Sequence, residues 1–360
     1  MEITIGAKNV SALLIGASTR ITVPSFQRGY AWERKNINDF LTDIGNSISD
    51  DEAHFYGPMV FLKPTRGDGT LEIIDGQQRM TTVVLFISLL RDAAFSLEDP
   101  SYGGIPSLPA VIRNILYVPP LYTTPRFDAN YQIRDFLRKY IIADPVVNEQ
   151  QRPSFGSNGR GLDPADKRAT RELRSAYATL REWIGKRTAE CDTEHEKKAF
   201  LYKAFVAATE QFEIHSMELY DEDQAFVLFE TMNERGLQLD PADLLKTMTL
   251  RKVRQTGSDF DFQTALKKWD KMTENLGDFD FTKFLRHFLL LEQEKKVQKT
   301  KIFGMFRSII DEQGHSGALL NLERLEQASN LYAVILGKQD HPIAPIRASL
   351  QRSAAISETH

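Results

Sequence analysis

One segment, Leu71-Glu72-Ile73-Ile74-Asp75-Gly76-Gln77-Gln78-Arg79-Met80-Thr81-Thr82, constrains the fold more than any other part of the chain. Leu71, Ile73 and Ile74 read as a strand, and the run from Val83 to Leu90 is long and apolar enough for a buried helix. Between them lies a dense polar turn. Gly76 lets the backbone bend and lets a ligand approach closely. With Thr81 or Thr82 in the first helical turn, unpaired N–H groups and the positive end of the helix dipole face the turn that carries Arg79. Such a corner favours an anion.

The surrounding chain is long enough to bury more than one core: 360 residues, 42% apolar and 26% charged. A formal net charge of −4 excludes a uniformly basic coat, so nucleic-acid binding has to be argued from local sites. The single cysteine, Cys191, excludes an intramolecular disulfide and a thiolate metal cluster. No apolar run reaches the roughly 20 residues of a membrane span, and Met1-Glu2-Ile3-Thr4 lacks a signal-peptide pattern. These features lead to the expectation of a cytoplasmic protein without a membrane partner.

From Ile3 to about Leu90, short β-type runs (Arg20 to Val23, Met59 to Leu62) alternate with a helical pattern over Ile37 to Ile48. Loops are expected at Pro24, at Gly57-Pro58 and from Pro64 to Gly69, the last a hairpin leading into Leu71. Beyond about Tyr122 the periodicity is helical over Tyr131 to Tyr140, Lys167 to Arg187, Glu196 to Gln211 and Asp223 to Glu234. Phe212 to Leu219 alternates instead and reads as a strand returning to the first sheet. The expected class is α+β: a small α+β domain over 1–120, then a mainly helical domain over 121–360. Gln151 to Asp166, rich in Gly, Ser, Asn and Pro, reads as a mobile loop, either a bare connector or a lid or DNA-contacting loop carrying Arg152 and Arg160.

Two further runs carry unusual chemistry. In Val23-Pro24-Ser25-Phe26-Gln27-Arg28-Gly29-Tyr30-Ala31-Trp32, Arg28 can grip phosphate oxygens, Gln27 can donate and accept, and Tyr30 and Trp32 offer flat faces for a base. Core anchoring is the competing reading for Phe26, Trp32 and Tyr30. From Phe226 to Lys246, Gly236 ends one helix and Asp240-Pro241 opens the next. Capping leaves Asn233, Arg235 and Lys246 unexplained; they suit an anion or base edge, and a surface salt bridge is the alternative for Lys246. Asp221-Glu222-Asp223 either holds a hard cation or, more simply, opens the following helix. No Walker loop, dinucleotide glycine fingerprint or His-Glu-x-x-His is present, and the seven histidines are scattered.

Together the three runs resemble the N-terminal domain of the GmrSD-type restriction systems, a family with a ParB/sulfiredoxin-like nucleotide-binding fold. The resemblance rests on Pro24, Phe26, Gln27, Arg28, Tyr30 and Trp32; on Ile74 to Arg79 with Thr81 and Thr82; and on Asn233, Arg235, Gly236 and Asp243 to Lys246. Phe281 to Phe288 also looks like the family's later helical region. The resemblance implies an NTPase module of a bacterial anti-phage or restriction system, with NTP as substrate, GTP favoured, and Mg²⁺ expected. Its implied partners are double-stranded DNA carrying a modification such as phosphorothioate, a DNA-nicking HNH nuclease domain or subunit, and a further copy of the chain. No nuclease motif is evident in this sequence.

On this resemblance Asp75, Gln77, Gln78 and Arg79 are the expected catalytic residues, with Asp75 also the Mg²⁺ ligand. Gln27, Arg28, Gly76, Thr81, Thr82, Asn233, Arg235 and Lys246 are the expected nucleotide contacts, and Arg28, Tyr30 and Trp32 the sensors of modified DNA. The alternative is a DNA-binding regulatory module that nucleotide switches without hydrolysis.

Overall fold

The alternating runs assemble into a six-stranded mixed sheet whose spatial order is β1 (Ile3–Asn9), β8 (Phe212–Leu219), β3 (His54–Leu62), β4 (Thr70–Asp75), β2 (Arg20–Thr22) and β5 (Phe127–Asp128). The computed structural model describes residues 3–15, 20–63, 70–97, 103–104, 107–147, 150–156, 159–162, 167, 169–221, 224–225, 228, 241–277, 279–293, 298 and 301–336. β8 pairs antiparallel with β1 and parallel with β3, and β3 runs antiparallel to β4. β4, β2 and β5 are mutually parallel neighbours, so their carboxyl ends point the same way.

The helices of this half are α1 (Val10–Ile15), α2 (Arg34–Asp50), α3 (Gln77–Phe95), α4 (Leu108–Leu116), α5 (Tyr131–Leu137), α6 (Arg171–Ala189) and α7 (Glu194–Val206). A short pair, β6 (Val146–Val147) and β7 (Gln150–Gln151), lies apart from the main sheet. α3 is the central helix. Every residue from Met80 to Arg91 is buried, because α4, α6 and α7 pack around it. Phe86 meets Phe40 of α2 edge to face with centroids 5.4 Å apart. Each such buried side chain contributes about 2 kcal/mol of transfer free energy. The expected helices over Tyr131 to Tyr140 and Glu196 to Gln211 each end in a π-helical turn, Arg138–Ile142 and Ala207–Gln211.

Two expectations, the loop at Gly57-Pro58 and the mobile stretch after Gln151, are corrected by this architecture. Gly57-Pro58 lies inside β3 and not in a loop. At Pro58 the strand is flanked by β8 (Pro58 opposite His215), while pairing with β4 starts only at Val60, so the missing N–H of proline breaks no ladder there. The chain separates into two compact units, Met1–Arg235 and Gly236–His360, and β5 and β8, which lie beyond residue 120, complete the first sheet. The stretch after Gln151 is docked over its described part. Arg152 pairs with Asp92 and donates to the carbonyls of Ile141 and Ala143, and Phe155 packs among Phe136, Tyr140 and Tyr177.

The second unit is helical where described: α8 (Pro241–Thr256), α9 (Asp259–Leu276), α10 (Phe281–Gln293) and α11 (Ile302–Ile335), the last interrupted at Gly314. Ser258 caps α9 by accepting from the Asp261 N–H at 3.1 Å. The Asn275 amide on α9 donates to Ser329 Oγ on α11 at 2.8 Å, a buried bond that fixes how these two helices meet. The expected helix over Asp223 to Glu234 lies largely outside the described residues.

Candidate functional site: an arginine–carboxylate corner

β4 ends at Asp75 and α3 begins at Gln77, so Gly76 alone makes the turn. Its φ of 101° lies where side chains other than glycine are strained, and a Cβ there would sit 2.6 Å from Met59 Cγ. The first helical bond runs from the Met80 N–H to the Gly76 carbonyl at 3.0 Å, so the N–H groups of Gln77, Gln78 and Arg79 precede the ladder. Over this turn Arg79 Nη2 donates to Asp75 Oδ2 at 3.0 Å. The pair is partly open, with side chains 20% and 30% exposed respectively.

Gly57 makes the position of Arg79 possible. Its φ is 108°, and any Cβ built there would overlap Arg79 Nη1. Beneath the guanidinium, the Tyr56 hydroxyl donates to the Arg79 carbonyl at 3.2 Å and the ring stacks on Phe212 with centroids 4.4 Å apart. Burial raises the Tyr56 pKa well above the ordinary tyrosine value, so the group stays a neutral donor.

The two glutamines divide in role. Gln78 is buried and fully engaged: Oε1 accepts from the Ala31 N–H at 2.9 Å and Nε2 donates to the Gly29 carbonyl at 3.0 Å. It fastens the 24–32 loop to α3. Gln77 is half-buried, and among the described residues its side chain carries no such bond. Thr81 and Thr82 turn back on the helix, donating to the Gln77 and Gln78 carbonyls at 2.7 and 2.9 Å. Their hydroxyls stiffen the first turn.

In the loop itself, Gln27 is buried and donates to the carbonyls of Ile73 and Ile74 at 2.7 and 3.0 Å, while its Oε1 is buried and meets no donor. Tyr30 is also buried, its hydroxyl 2.7 Å from Thr82 Oγ1, and burial raises its pKa. Trp32 packs partly against the core, and Arg28 is half-buried. Tyr30 therefore lies under the loop, and Arg28 is its cationic side chain of intermediate exposure. On the far side Asn130 Nδ2 donates to the Gln27 carbonyl at 2.7 Å. The carboxyl ends of β4, β2 and β5 are thus laced together by three amides, Gln27, Gln78 and Asn130.

Asn233 and Arg235 lie outside the described residues. Lys246 is buried on α8 of the second unit; burial lowers its pKa, with Asp270 and Asp243 opposing. Asp221 accepts from the Gln224 N–H at 2.8 Å, a helix-opening contact, and Glu222 and Asp223 lie outside the described residues. Among the described residues no three His, Cys, Asp or Glu side chains gather to hold a metal.

Sequence reasoning did not find Gly57, Tyr56 or Asn130. A glycine next to a proline inside an apolar run was the available signal for Gly57, since a strand glycine often marks close approach of another group.

The fold and corner define a class: an α+β domain that holds an arginine–carboxylate pair where a strand passes into a buried helix. Residues 10–250, about two thirds of the chain, match the GmrSD restriction endonuclease N-terminal domain. The chain belongs to that family and is a restriction-system module. No curated protein matches the chain. No described helix is long and apolar enough to cross a membrane.

Proposed function

We propose that this module binds and hydrolyses a nucleoside triphosphate, GTP favoured, at the Asp75 to Thr82 corner, and couples turnover to DNA bearing a modification such as phosphorothioate in order to control a nuclease. The Asp75–Arg79 pair at the open N-terminus of α3 carries this reading. Phosphoryl transfer needs positioned positive charge more than covalent chemistry. Here Arg79 and the first N–H groups of α3 lie at one turn, Gly57 leaves room for the guanidinium, and Tyr56 holds the Arg79 backbone carbonyl.

In this mechanism Arg79 neutralises charge on the transferring phosphoryl group and Asp75 holds its guanidinium in register. Gln77, with its side chain uncommitted, orients the attacking water. Gln78 positions the loop that carries Arg28, and Arg28 meets phosphate. Gly76 keeps the turn open to the ligand, and Thr81 and Thr82 hold the helix end. Asp75 would offer one carboxylate oxygen to a phosphate-borne Mg²⁺, which would supply further positive charge beside Arg79, and so sparse a protein donor set suits an ion held mainly by phosphates. Sensing of modified DNA is assigned to Arg28 and the exposed part of Trp32, with Tyr30 fixing their loop from beneath. Asn233 and Arg235 are further proposed nucleotide contacts.

Steady-state phosphate release with each NTP, alone and with plain or phosphorothioate duplex, tests this reading. Sustained turnover that Arg79→Ala lowers by at least two orders of magnitude is expected. Saturable nucleotide binding without turnover would replace it by the non-hydrolysing switch.

A further inference from the structure

The described residues hold two arginine clusters outside the corner, and they differ in charge balance. In the first, Arg91 donates to the carbonyls of Ile141, Ile142 and Ala143, and Arg91, Arg113 and Arg152 share Asp92 and Asp144. Three cations there meet two carboxylates and a fan of carbonyls, which is a structural clamp on the π-helical turn after α5. The second cluster is unlike it. Arg20 Nη2, Arg134 Nε and Arg138 Nη2 all converge on the carboxylate of Asp128, at 3.1, 3.0 and 2.9 Å.

Asp128 is buried, and each arginine remains about one third exposed. Three guanidiniums against one carboxylate leave two positive charges unbalanced within the group. The Nε atoms of Arg20 and Arg138 are buried without an acceptor and out of reach of an outside anion, so it is the exposed third of each side chain that faces one. A brace for an edge strand needs one cation on Asp128. Three, drawn from β2, α5 and the π-helical turn, exceed that need and leave positive charge at the surface.

We infer that Arg20, Arg134 and Arg138, gathered on Asp128, form a contact for the phosphodiester backbone of DNA, separate from the nucleotide corner. The register sets the separation. Asp128 lies level with Glu72, because both pair with Thr22. Asp75 is three residues further along and two strands across, about 10 Å in each direction. One triphosphate held at the corner does not cover that span, whereas a nucleic-acid strand offers a phosphate every ~3.4 Å of its axis. The two places are also coupled mechanically: the Val23 N–H donates to the Asp128 carbonyl at 2.9 Å, and Asn130 holds Gln27. This inference rests on the DNA-binding half of the proposed function and not on nucleotide turnover.

The test is duplex-DNA affinity of the full chain against salt for the parent, Arg134→Gln, Arg138→Gln and Asp128→Asn, with thermal melts alongside. Each arginine variant is expected to weaken binding on every duplex and to lower the log–log salt slope by about 0.9. Its deficit should then shrink about threefold between 50 and 200 mM salt. Asp128→Asn removes the lone carboxylate and should lower stability without weakening DNA binding. If either arginine variant fails to fold, Arg20→Gln supplies the same readout. A parent-like slope in folded arginine variants, or a parent that binds no DNA, overturns the inference. Nucleotide affinity measured without DNA separates the two sources of phosphate: parent-like nucleotide binding with weakened DNA binding supports the assignment, and the reverse overturns it. A parent that binds DNA with the expected slopes yet never turns over nucleotide would sink the hydrolysis reading alone.

Discussion

Gly57→Ala perturbs the corner without touching a charge. At φ 108° an alanine backbone is strained by about 1–3 kcal/mol. For a unit of this size that lowers Tm by roughly 2–4 °C per kcal/mol. The new methyl group also overlaps Arg79 Nη1, so the guanidinium has to retreat by roughly 1 Å to reach ordinary contact distance. A 1 Å misplacement of a catalytic group costs about 100-fold in rate. The expected result is therefore a folded, modestly destabilised protein whose phosphate release falls about 100-fold while nucleotide still binds. Gly45→Ala on α2 is the control: its Cβ meets nothing within 4 Å, so it should gain about 0.5–1 kcal/mol of helix stability and leave turnover alone. Parent-rate hydrolysis by folded Gly57→Ala would refute the idea that Arg79 acts from its place over Gly57.

The paired glutamines should separate cleanly. Gln78→Ala removes two part-buried bonds to the 29–31 backbone and should destabilise by about 1–3 kcal/mol in urea unfolding; Gln77→Ala should stay within about 0.5 kcal/mol of parent stability and yet lower kcat. Arg91→Met strips a fully buried cation from three carbonyls and two carboxylates, and a loss of about 3–5 kcal/mol is expected by the same measurement. Burial depresses the folded-state pKa of Lys246 below 10.5, so its contribution is unfavourable at neutral pH and improves as pH rises towards 10.5. Lys246→Met should accordingly flatten stability against pH on the alkaline side, and unchanged curvature would show that its ammonium is not penalised in the fold.

The strand–turn–helix corner was legible because its evidence is local. Gly76, the buried run of α3 and the returning strand Phe212–Leu219 each follow from spacing within one segment. Contacts that join distant segments were not legible. Nothing in the spacing of Tyr30 says that its hydroxyl meets Thr82, 52 positions away, or that Gln78 is drawn to residue 31 while Gln77 is left free. Both glutamines have the same chemistry and adjacent places on a helix. A rotation of about 100° between consecutive helical residues decides which faces the loop and which faces out. Gly57 was hidden for a similar reason, since the Gly-Pro pair reads as a turn until the end of β4 is seen to leave one side of β3 unpaired.

That lacing also bears on how nucleotide and DNA could act on each other. β4, β2 and β5 are parallel neighbours, and the Asp75–Arg79 pair, Arg28 and Asp128 lie at or just beyond their carboxyl ends in that spatial order. Ligands of parallel sheets commonly sit at such ends. The connections between these loops are side-chain amides on backbone carbonyls and N–H groups, which hold only over a narrow range of distance and angle. A phosphate that pulls on the Asp128 cluster therefore pulls, through Asn130 and the Gln27 carbonyl, on the loop that Gln78 fastens to the first turn of α3. Asn130→Ala cuts that path and also removes the N-cap of α5, where its side chain accepts from Gln132 N–H. Its cap loss alone should cost about 1 kcal/mol. Asn130→Ser keeps an N-cap acceptor, adds no charge and loses the amide donor to Gln27, so it isolates the coupling. The expected outcome for Asn130→Ser is parent-like binding of DNA and of nucleotide measured separately, with DNA no longer changing the rate of phosphate release; a parent-like response to DNA would show that the loops communicate by some other route.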